Sequence, residues 1–285
     1  MPCLINGTVA DSISVADRGL QYGDGLFETI SCLDGQPRWL ALHLQRLLSG
    51  CERLRIPFTA AAQLEQEVRK LAADTARCLV KVIVTRGAAT VRGYGPSGAE
   101  SPTRIVSRYA WPTAPAESAD SAVPAEAGDA ARVCAIRVGL STIRLGENPA
   151  LAGLKHLNRL EQVLAQQALG NSGYDEVLMQ SSSGAVICAS SANVFLVDQT
   201  GLYTPDVALC GVAGIMRRLV LETAAAAGID VRVRTVTLHD LSQAQEVFLT
   251  NVRLGLQPVG WLHGRQIRAA QMAWRLRELI GATLP

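Results

Sequence analysis

Along the chain, short apolar runs closed by turn residues alternate with stretches in which apolar side chains return every three or four positions. The first pattern is that of strands, the second that of amphipathic helices. Leu4-Ile5-Asn6-Gly7 predicts a short strand ending at an Asn-Gly turn, and residues 26–33 predict a strand that turns at Asp34-Gly35. Leu42, Arg46, Cys51 and Leu54 fall on one helix after Trp39, and residues 63–73 predict a second. The β-branched run CLVKVIVT at 78–85 predicts a buried strand. Further on, residues 133–140, 176–180, 185–187, 194–197 and 246–251 read as strands, with a turn at Gln199-Thr200-Gly201. The spacing of Leu157, Leu160, Leu164 and Ala168 predicts a helix over 156–169. Residues 214–227 predict another, closed by Gly228, and residues 267–280 a terminal one. The segment 112–131, PTAPAESADSAVPAEAGDAA, has almost no large apolar residue and reads as a linker. The expected organisation is an α+β domain over 1–111, the linker over 112–131, and a C-terminal domain over 132–285.

Composition narrows the function classes. Of the 285 residues 48% are apolar and 18% charged, a globular balance with length for one or two domains. Lys and Arg number 27 against 25 Asp and Glu, a net charge of +2 that makes no electrostatic case for nucleic acid or an anionic membrane as partner. No apolar run reaches the roughly 18 residues of a spanning helix. The opening MPCLINGTVADS lacks the basic and apolar regions of a signal peptide, so a cytoplasmic protein is expected. Cysteines at 3, 32, 51, 78, 134, 188 and 210, odd in number and without a Cys-x-x-Cys, predict buried small side chains rather than disulfides or zinc ligands. His43, His156, His239 and His263 lack metal-ligand spacing, and no metal site is expected.

Three constellations carry candidate chemistry. Lys155 stands among Leu and Gly, where desolvation lowers an amine's pKa and frees it for Schiff-base chemistry; a surface lysine at a helix start is the plainer alternative. Gly211-Val-Ala-Gly-Ile-Met-Arg217 leads a loop into a helix, where backbone N–H groups can meet an anion, and Thr250-Asn251 at a strand end can add donors. An ordinary Gly-rich helix entry fits that segment equally. Arg46, three residues after His43 on one helix side, and the loop arginines Arg86 and Arg92 suit carboxylate or phosphate, or else are solvated.

Further segments join these. They are Asp17-Arg18-Gly19, Tyr22-Gly23-Asp24-Gly25-Leu26-Phe27-Glu28-Thr29, His43-Leu-Gln-Arg46-Leu47 and Val84-Thr85-Arg86-Gly87. Gly153-Leu-Lys-His-Leu-Asn158 and Ser190-Ser-Ala-Asn193-Val-Phe195 follow. In this order, nearly end to end, the chain resembles the fold-type IV pyridoxal-phosphate enzymes, the group of branched-chain and D-amino-acid aminotransferases and 4-amino-4-deoxychorismate lyase. Arg55-Ile56-Pro57, Arg92-Gly93-Tyr94 and Leu151-Ala-Gly-Leu-Lys-His-Leu-Asn-Arg-Leu-Glu-Gln162 look like the bacterial lyases. The paired-arginine loop of the branched-chain enzymes and the Arg-x-His of the D-amino-acid enzymes are not seen.

The resemblance implies an α+β, two-domain fold of D-amino-acid aminotransferase type. The N-terminal α/β domain is the smaller, and the C-terminal cofactor-binding domain carries a β-barrel-like sheet. It implies pyridoxal 5'-phosphate as cofactor, a small-molecule substrate and a homodimer. Lys155 becomes the Schiff-base lysine. Arg46 becomes a phosphate ligand, beside the N–H groups of Gly214, Ile215 and Met216 and the side chains of Thr250 and Asn251. Cys188, Ser191 and Asn193 join the cofactor site, and Phe27, Thr29, Arg86 and Arg92 the substrate site. One position departs from the pattern. The family's Thr-Glu, whose carboxylate keeps the cofactor's pyridine nitrogen protonated, is Ile187-Cys188 here. A neutral thiol supports a weaker electron sink, which predicts a slower enzyme, a shifted activity or a loss of activity. The activity implied is conversion of 4-amino-4-deoxychorismate to 4-aminobenzoate and pyruvate. An aminotransferase of a small amino acid and a catalytically silent cofactor-binding homologue are the alternatives.

Overall fold

The structure, a computed structural model, describes residues 2–112, 135–170 and 172–282. The chain forms two units, one of Met1–Thr113 with Leu154–Asn158, the other of Ala114–Gly153 with Arg159–Pro285. The return of Leu154–Asn158 to the first unit is a feature that a division by sequence order alone does not contain. Apart from Pro112, the linker expected at 112–131 lies outside the described residues.

The first unit is a six-stranded antiparallel sheet with two helices against it. In chain order it runs β1 (Cys3–Ile5), β2 (Thr8–Val9), α1 (Arg18–Tyr22), β3 (Gly25–Leu33), β4 (Gln36–Pro37), α2 (Leu40–Arg53), α3 (Ala61–Ala72), β5 (Arg77–Thr85) and β6 (Thr103–Ala110). The strand order is β2-β1-β6-β5-β3-β4. Asn6 and Gly7 both take positive φ (50° and 88°), as a two-residue hairpin turn requires, so the Asn-Gly signal is answered by β1 pairing with β2. Strand β3 alternates: Leu26, Glu28 and Ile30 are buried while Phe27 and Thr29 are half-buried. Helix α2 covers the Leu26 face through His43, Leu47, Gly50 and Cys51. The approach is close, since a Cβ on Gly50 would meet Leu26 Cδ1 at 2.7 Å. Leu64, Val68, Val80, Val82 and Val106 complete the core.

The second unit holds β7 (Ile136–Leu140), α4 (Leu160–Leu169), β8 (Glu176–Gln180), β9 (Val186–Ala189), β10 (Asn193–Asp198), β11 (Gly201–Pro205), α5 (Ile215–Ala226), β12 (Val231–Arg234), α6 (Leu238–Gln243), β13 (Glu246–Asn251), β14 (Gly255–Leu262), β15 (Arg265–Gln266) and α7 (Gln271–Ala282). Its nine strands order as β12-β11-β10-β13-β14-β7-β8-β9, with β15 on β14. The sheet mixes parallel pairs, β11 with β12 and β7 with β14 and β8, with antiparallel ones, and curls until β9 nears β10 and β11. This half-barrel encloses Val138, Leu178, Val194, Leu196, Tyr203, Val247 and Leu249. Among the described residues no helix is long and apolar enough to cross a membrane.

Two predicted helices are corrected. The helix expected over 156–169 begins only at Leu160. Residues 154–158 are extended and lie on β3, where Phe27 N donates to Lys155 O (2.9 Å) and Leu157 N to Gly25 O (3.0 Å). The face expected to pack is open as well: Leu160 and Leu164 are 76% and 48% exposed, and Ala165 is the buried residue of α4. The terminal helix begins at Gln271, not 267, because Ile267 N is held by Gly260 O of β14.

Candidate active site

In the first unit Lys155 is positioned by backbone, not by a helix. The two hydrogen bonds to β3 and the bridge between Leu26 and His156 lay its peptide along the strand. The Lys155 amine then stands 4.2 Å from the centre of the Phe27 ring. Thr29 lies on the same strand face, directly opposite Lys81 of β5, whose amine is 5.5 Å from that ring. An amine, a second cation, a hydroxyl and an aromatic face are thus gathered on one side of β3. Lys81 is not among the residues that the sequence singles out. The available signal is a lysine inside the otherwise apolar CLVKVIVT.

Across the strand, Glu28 points into α2. Arg46 donates to its carboxylate through Nε (2.7 Å) and Nη2 (2.5 Å), and His43 Nδ1 lies 2.7 Å from Oε2. Burial alone raises Glu28, but the His43 hydrogen bond and the Arg46 charge outweigh it and hold the carboxyl at about 2. Glu28 and His43 are 2% and 0% exposed, whereas Arg46 keeps 16%. Gly50, one turn beyond Arg46, lies against Leu154, the neighbour of Lys155.

Arg86 is placed differently from the substrate role expected of it. Its Nε donates to Asp24 (2.7 Å), Nη1 to the Arg55 carbonyl (2.6 Å) and Nη2 to the Leu54 carbonyl (2.8 Å), so its fork joins three pieces of backbone and side chain within the fold. Asp24 also accepts from Arg18 Nε (2.9 Å). Burial raises Asp24, and the two guanidinium groups more than reverse that and lower it. Arg18 in turn reaches Gly93 O (3.0 Å) and Tyr94 O, and Tyr22 meets the Tyr94 ring edge-on at 5.4 Å. The loop carrying the exposed Arg92 is therefore tied down at its next two residues.

In the second unit the candidate residues meet around the start of α5. Gly214 is the N-cap, and the helix has no side-chain cap. Its first N–H groups are thus left to an acceptor from outside the helix. A Cβ on Gly214 would fall 2.1 Å from Asn193 Oδ1, which requires glycine there. Asn193 donates through Nδ2 to Val212 O (2.9 Å) and lies opposite Thr250 across β10 and β13. Thr250 is 1% exposed and its hydroxyl has no hydrogen-bond partner. Asn251 Nδ2 donates to Ser191 O (3.1 Å), and its Oδ1 accepts from Arg253 and Leu254 N–H. Ser191 Oγ donates to Glu176 (2.7 Å), and Ser190 Oγ donates to the same carboxylate. Local sequence does not foreshadow that use of Glu176, because β8 and the serines are brought together only by the curl of the sheet.

Cys188 is buried with Leu145, Ala165, Val177, Met179, Ile187 and Cys210. Burial, then the neighbouring Cys210, pushes its thiol up to about 12. It is a neutral group in apolar surroundings.

Comparison with known proteins places these features in a family. The amino-transferase class IV family model matches residues 25–260. The chain is 34% identical over 255 residues to the aminodeoxychorismate lyase of Vibrio harveyi, covering 90% of this chain and 89% of that one. It superposes on the crystal structure of 4-amino-4-deoxychorismate lyase from Pseudomonas aeruginosa with a TM-score of 0.88 and 38% identity, over 99% and 98% of the two chains. It also matches a T.th. branched-chain amino acid aminotransferase, solved with pyridoxamine 5'-phosphate, at a TM-score of 0.79 and 25% identity over 98% and 92%.

Proposed function

The chain belongs to the amino-transferase class IV family, and on that premise we propose that it cleaves 4-amino-4-deoxychorismate to 4-aminobenzoate and pyruvate. The observation that carries the proposal is the Lys155 amine, fixed over Phe27 on the face that also holds Thr29 and Lys81. The nearly full-length likeness to two lyases of that name supports the choice of substrate.

The cofactor is pyridoxal 5'-phosphate. The residues present fit such a group. The buried Thr250 hydroxyl lacks a partner, and α5 begins without a side-chain cap, both of which suit a phosphate. Arg46, Gly214, Ile215, Met216, Thr250 and Asn251 would hold the phosphate, Ser191 and Asn193 would shape the surroundings, and Lys155 would carry the cofactor covalently. When bound, the cofactor supplies an electron sink for the charge left by loss of a proton from carbon.

The chain's own residues account for the rest. Lys155 Nζ would take the ring proton as general base. The bond from the ring to the enolpyruvyl oxygen breaks, and Nζ returns the proton to the departing enolpyruvate, giving pyruvate. Lys81 and Arg92 are the cations for the substrate's carboxylates, and Phe27 and Thr29 line its ring. Cys188, neutral at about 12, gives the pyridine nitrogen no carboxylate partner. Aromatisation of the product ring supplies driving force that amino-group transfer lacks, so the lyase reaction tolerates the thiol better.

The neutral thiol also favours a second reading, a protein that binds the cofactor without turnover. Incubation of the holoprotein with 4-amino-4-deoxychorismate, following 4-aminobenzoate and pyruvate, tests the proposal. Equal yields of both are expected. Amino-group transfer without 4-aminobenzoate would replace it with an aminotransferase, and bound cofactor without either reaction with the silent homologue. The enzyme works as a homodimer on this proposal. Support comes from the open apolar face of α4, with Leu160, Val163 and Leu164 at 76%, 47% and 48% exposure. Sedimentation of the purified protein at monomer mass would remove that part.

A further inference from the structure

At the end of the first sheet remote from Phe27, the turn after β4 brings two cations together without an anion. Arg38 N donates to Ser31 O of β3 (2.8 Å), and Arg77, the first residue of β5, pairs with Leu33, two residues further along β3. Each guanidinium lies over an indole, Arg38 over Trp39 at 4.3 Å and Arg77 over Trp111 at 3.7 Å. Among the described residues neither guanidinium has a hydrogen bond or a carboxylate partner. Burial, and then the nearby charge of Arg77, push Arg38 below the ordinary arginine range. Trp39, between Arg38 and α2, takes a left-handed backbone (φ 51°, ψ 32°) that a bulky residue adopts only at a cost. Helix α2 then starts without a side-chain cap, which adds the positive end of its dipole to the same turn. The hydroxyl of Ser31 is buried there and has no hydrogen-bond partner.

Two like charges held together without compensation cost free energy that a bridging anion recovers. Stacking on an indole takes one face of a guanidinium and leaves its N–H edge for a planar, two-point contact. A carboxylate carries one charge and serves one such edge. A phosphoryl group carries nearly two charges at neutral pH and three acceptor oxygens, enough for both. We propose that Arg38 and Arg77, each backed by its indole, bind a phosphoryl dianion, either free phosphate or the phosphate of a monoester. Both arginines belong to the first unit. Arg77 stands four residues before Lys81 on β5, roughly 13 Å along the strand, so the site is separate from the groups gathered around Phe27. It does not depend on the activity assigned to them.

Calorimetric titration of the cofactor-loaded protein with inorganic phosphate, phenyl phosphate and acetate, at constant ionic strength, tests this. Loading with pyridoxal 5'-phosphate keeps the added anions out of the cofactor site. Saturable binding of a phosphoryl ligand is expected, with acetate at least about tenfold weaker because it carries a single charge. Arg38→Gln and Arg77→Gln should each lower the affinity about tenfold, the worth of one charge-assisted contact. Arg277, which lies 5.3 Å from the Trp274 ring on α7, serves as the control, and Arg277→Gln should stay within about twofold of wild type. Tighter binding of phenyl phosphate than of phosphate would identify the ligand as an ester, and the reverse as the free ion; either supports the site. Absence of saturable binding in wild type overturns the proposal. So does wild-type affinity in both arginine variants, or a loss confined to one of them, which would leave no pair. An equal loss in Arg277→Gln overturns it too, since the affinity would then follow overall charge. Melting curves of the two variants should match wild type, because neither guanidinium has a hydrogen bond to lose among the described residues.

Discussion

The Glu28 carboxylate and the Thr250 hydroxyl at the entry to α5 are treated in opposite ways. Around Glu28 every oxygen is occupied, and the carboxylate is gripped by His43 and Arg46 inside the first unit. At the start of α5, in the second unit, the helix has no side-chain cap and the Thr250 hydroxyl is buried without a partner. A satisfied buried group stabilises the fold. An unsatisfied one is costly until something arrives to pair it. The first arrangement holds a residue still, and the second waits for a ligand.

The largest effect expected concerns the residue against which both regions are weighed. Lys155→Ala should lower turnover by about a thousandfold or more. The melting temperature of the cofactor-free protein should not move, since the backbone hydrogen bonds that hold residue 155 do not need its side chain. A matching loss of stability would put Lys155 with the satisfied structure instead.

Next comes the acid limb of stability. Glu28 titrates near 4.5 in the unfolded chain and near 2 in the folded one, so the folded state binds fewer protons in that range. Its stabilisation is complete above 4.5 and disappears as pH falls toward 2, a loss on the order of a few kcal/mol. Thermal melts of wild type and Glu28→Gln across that interval should show a steep wild-type slope and a shallower one in the variant. Parallel slopes would mean that the Glu28 carboxylate is not held by its partners as described.

Thr250→Val sharpens the contrast because its two readouts move in opposite directions. Cofactor affinity should fall about tenfold, while the cofactor-free protein should be equally stable or gain up to about 1 kcal/mol, the relief of an unpaired buried hydroxyl. Titration calorimetry and denaturant melts check the pair. A destabilised apo-protein would show that the hydroxyl already had a structural partner. The smallest effect belongs to Cys188→Ala, expected to change the lyase rate less than about threefold, since a neutral thiol contributes little as a hydrogen-bond donor. A rate loss of tenfold or more in steady-state assays would give the thiol a role in catalysis.

Much of this was legible in the sequence where local pattern and tertiary placement agree. The strands at 176–180 and 246–251 coincide with β8 and β13, and the Asn-Gly and Asp-Gly turns take the positive φ their residues favour. Strand β6, TRIVSRYA, is hard to see because its polar positions dilute the apolar signal, and β14 because Gly255, Pro258 and Gly260 interrupt it. Residues 154–158 mislead because Leu157 happens to stand three before Leu160, while the backbone of β3 captures the segment as extended chain. For the site, Lys155, Arg46 and the α5 entry can be named from motifs. The pairing of Glu28 with Arg46, and the partners Lys81 and Glu176, cannot, because each is supplied by strand pairing or by a helix packed across a strand.

A thiol that titrates near 12 exists as thiolate in about one molecule in 10⁵ at neutral pH. Alkylating agents and peroxide attack the thiolate, so Cys188 resists both for as long as the half-barrel stays closed around it. The rate at which such a reagent labels Cys188 therefore measures how often β9 opens, so this one thiol provides a built-in clock for local unfolding.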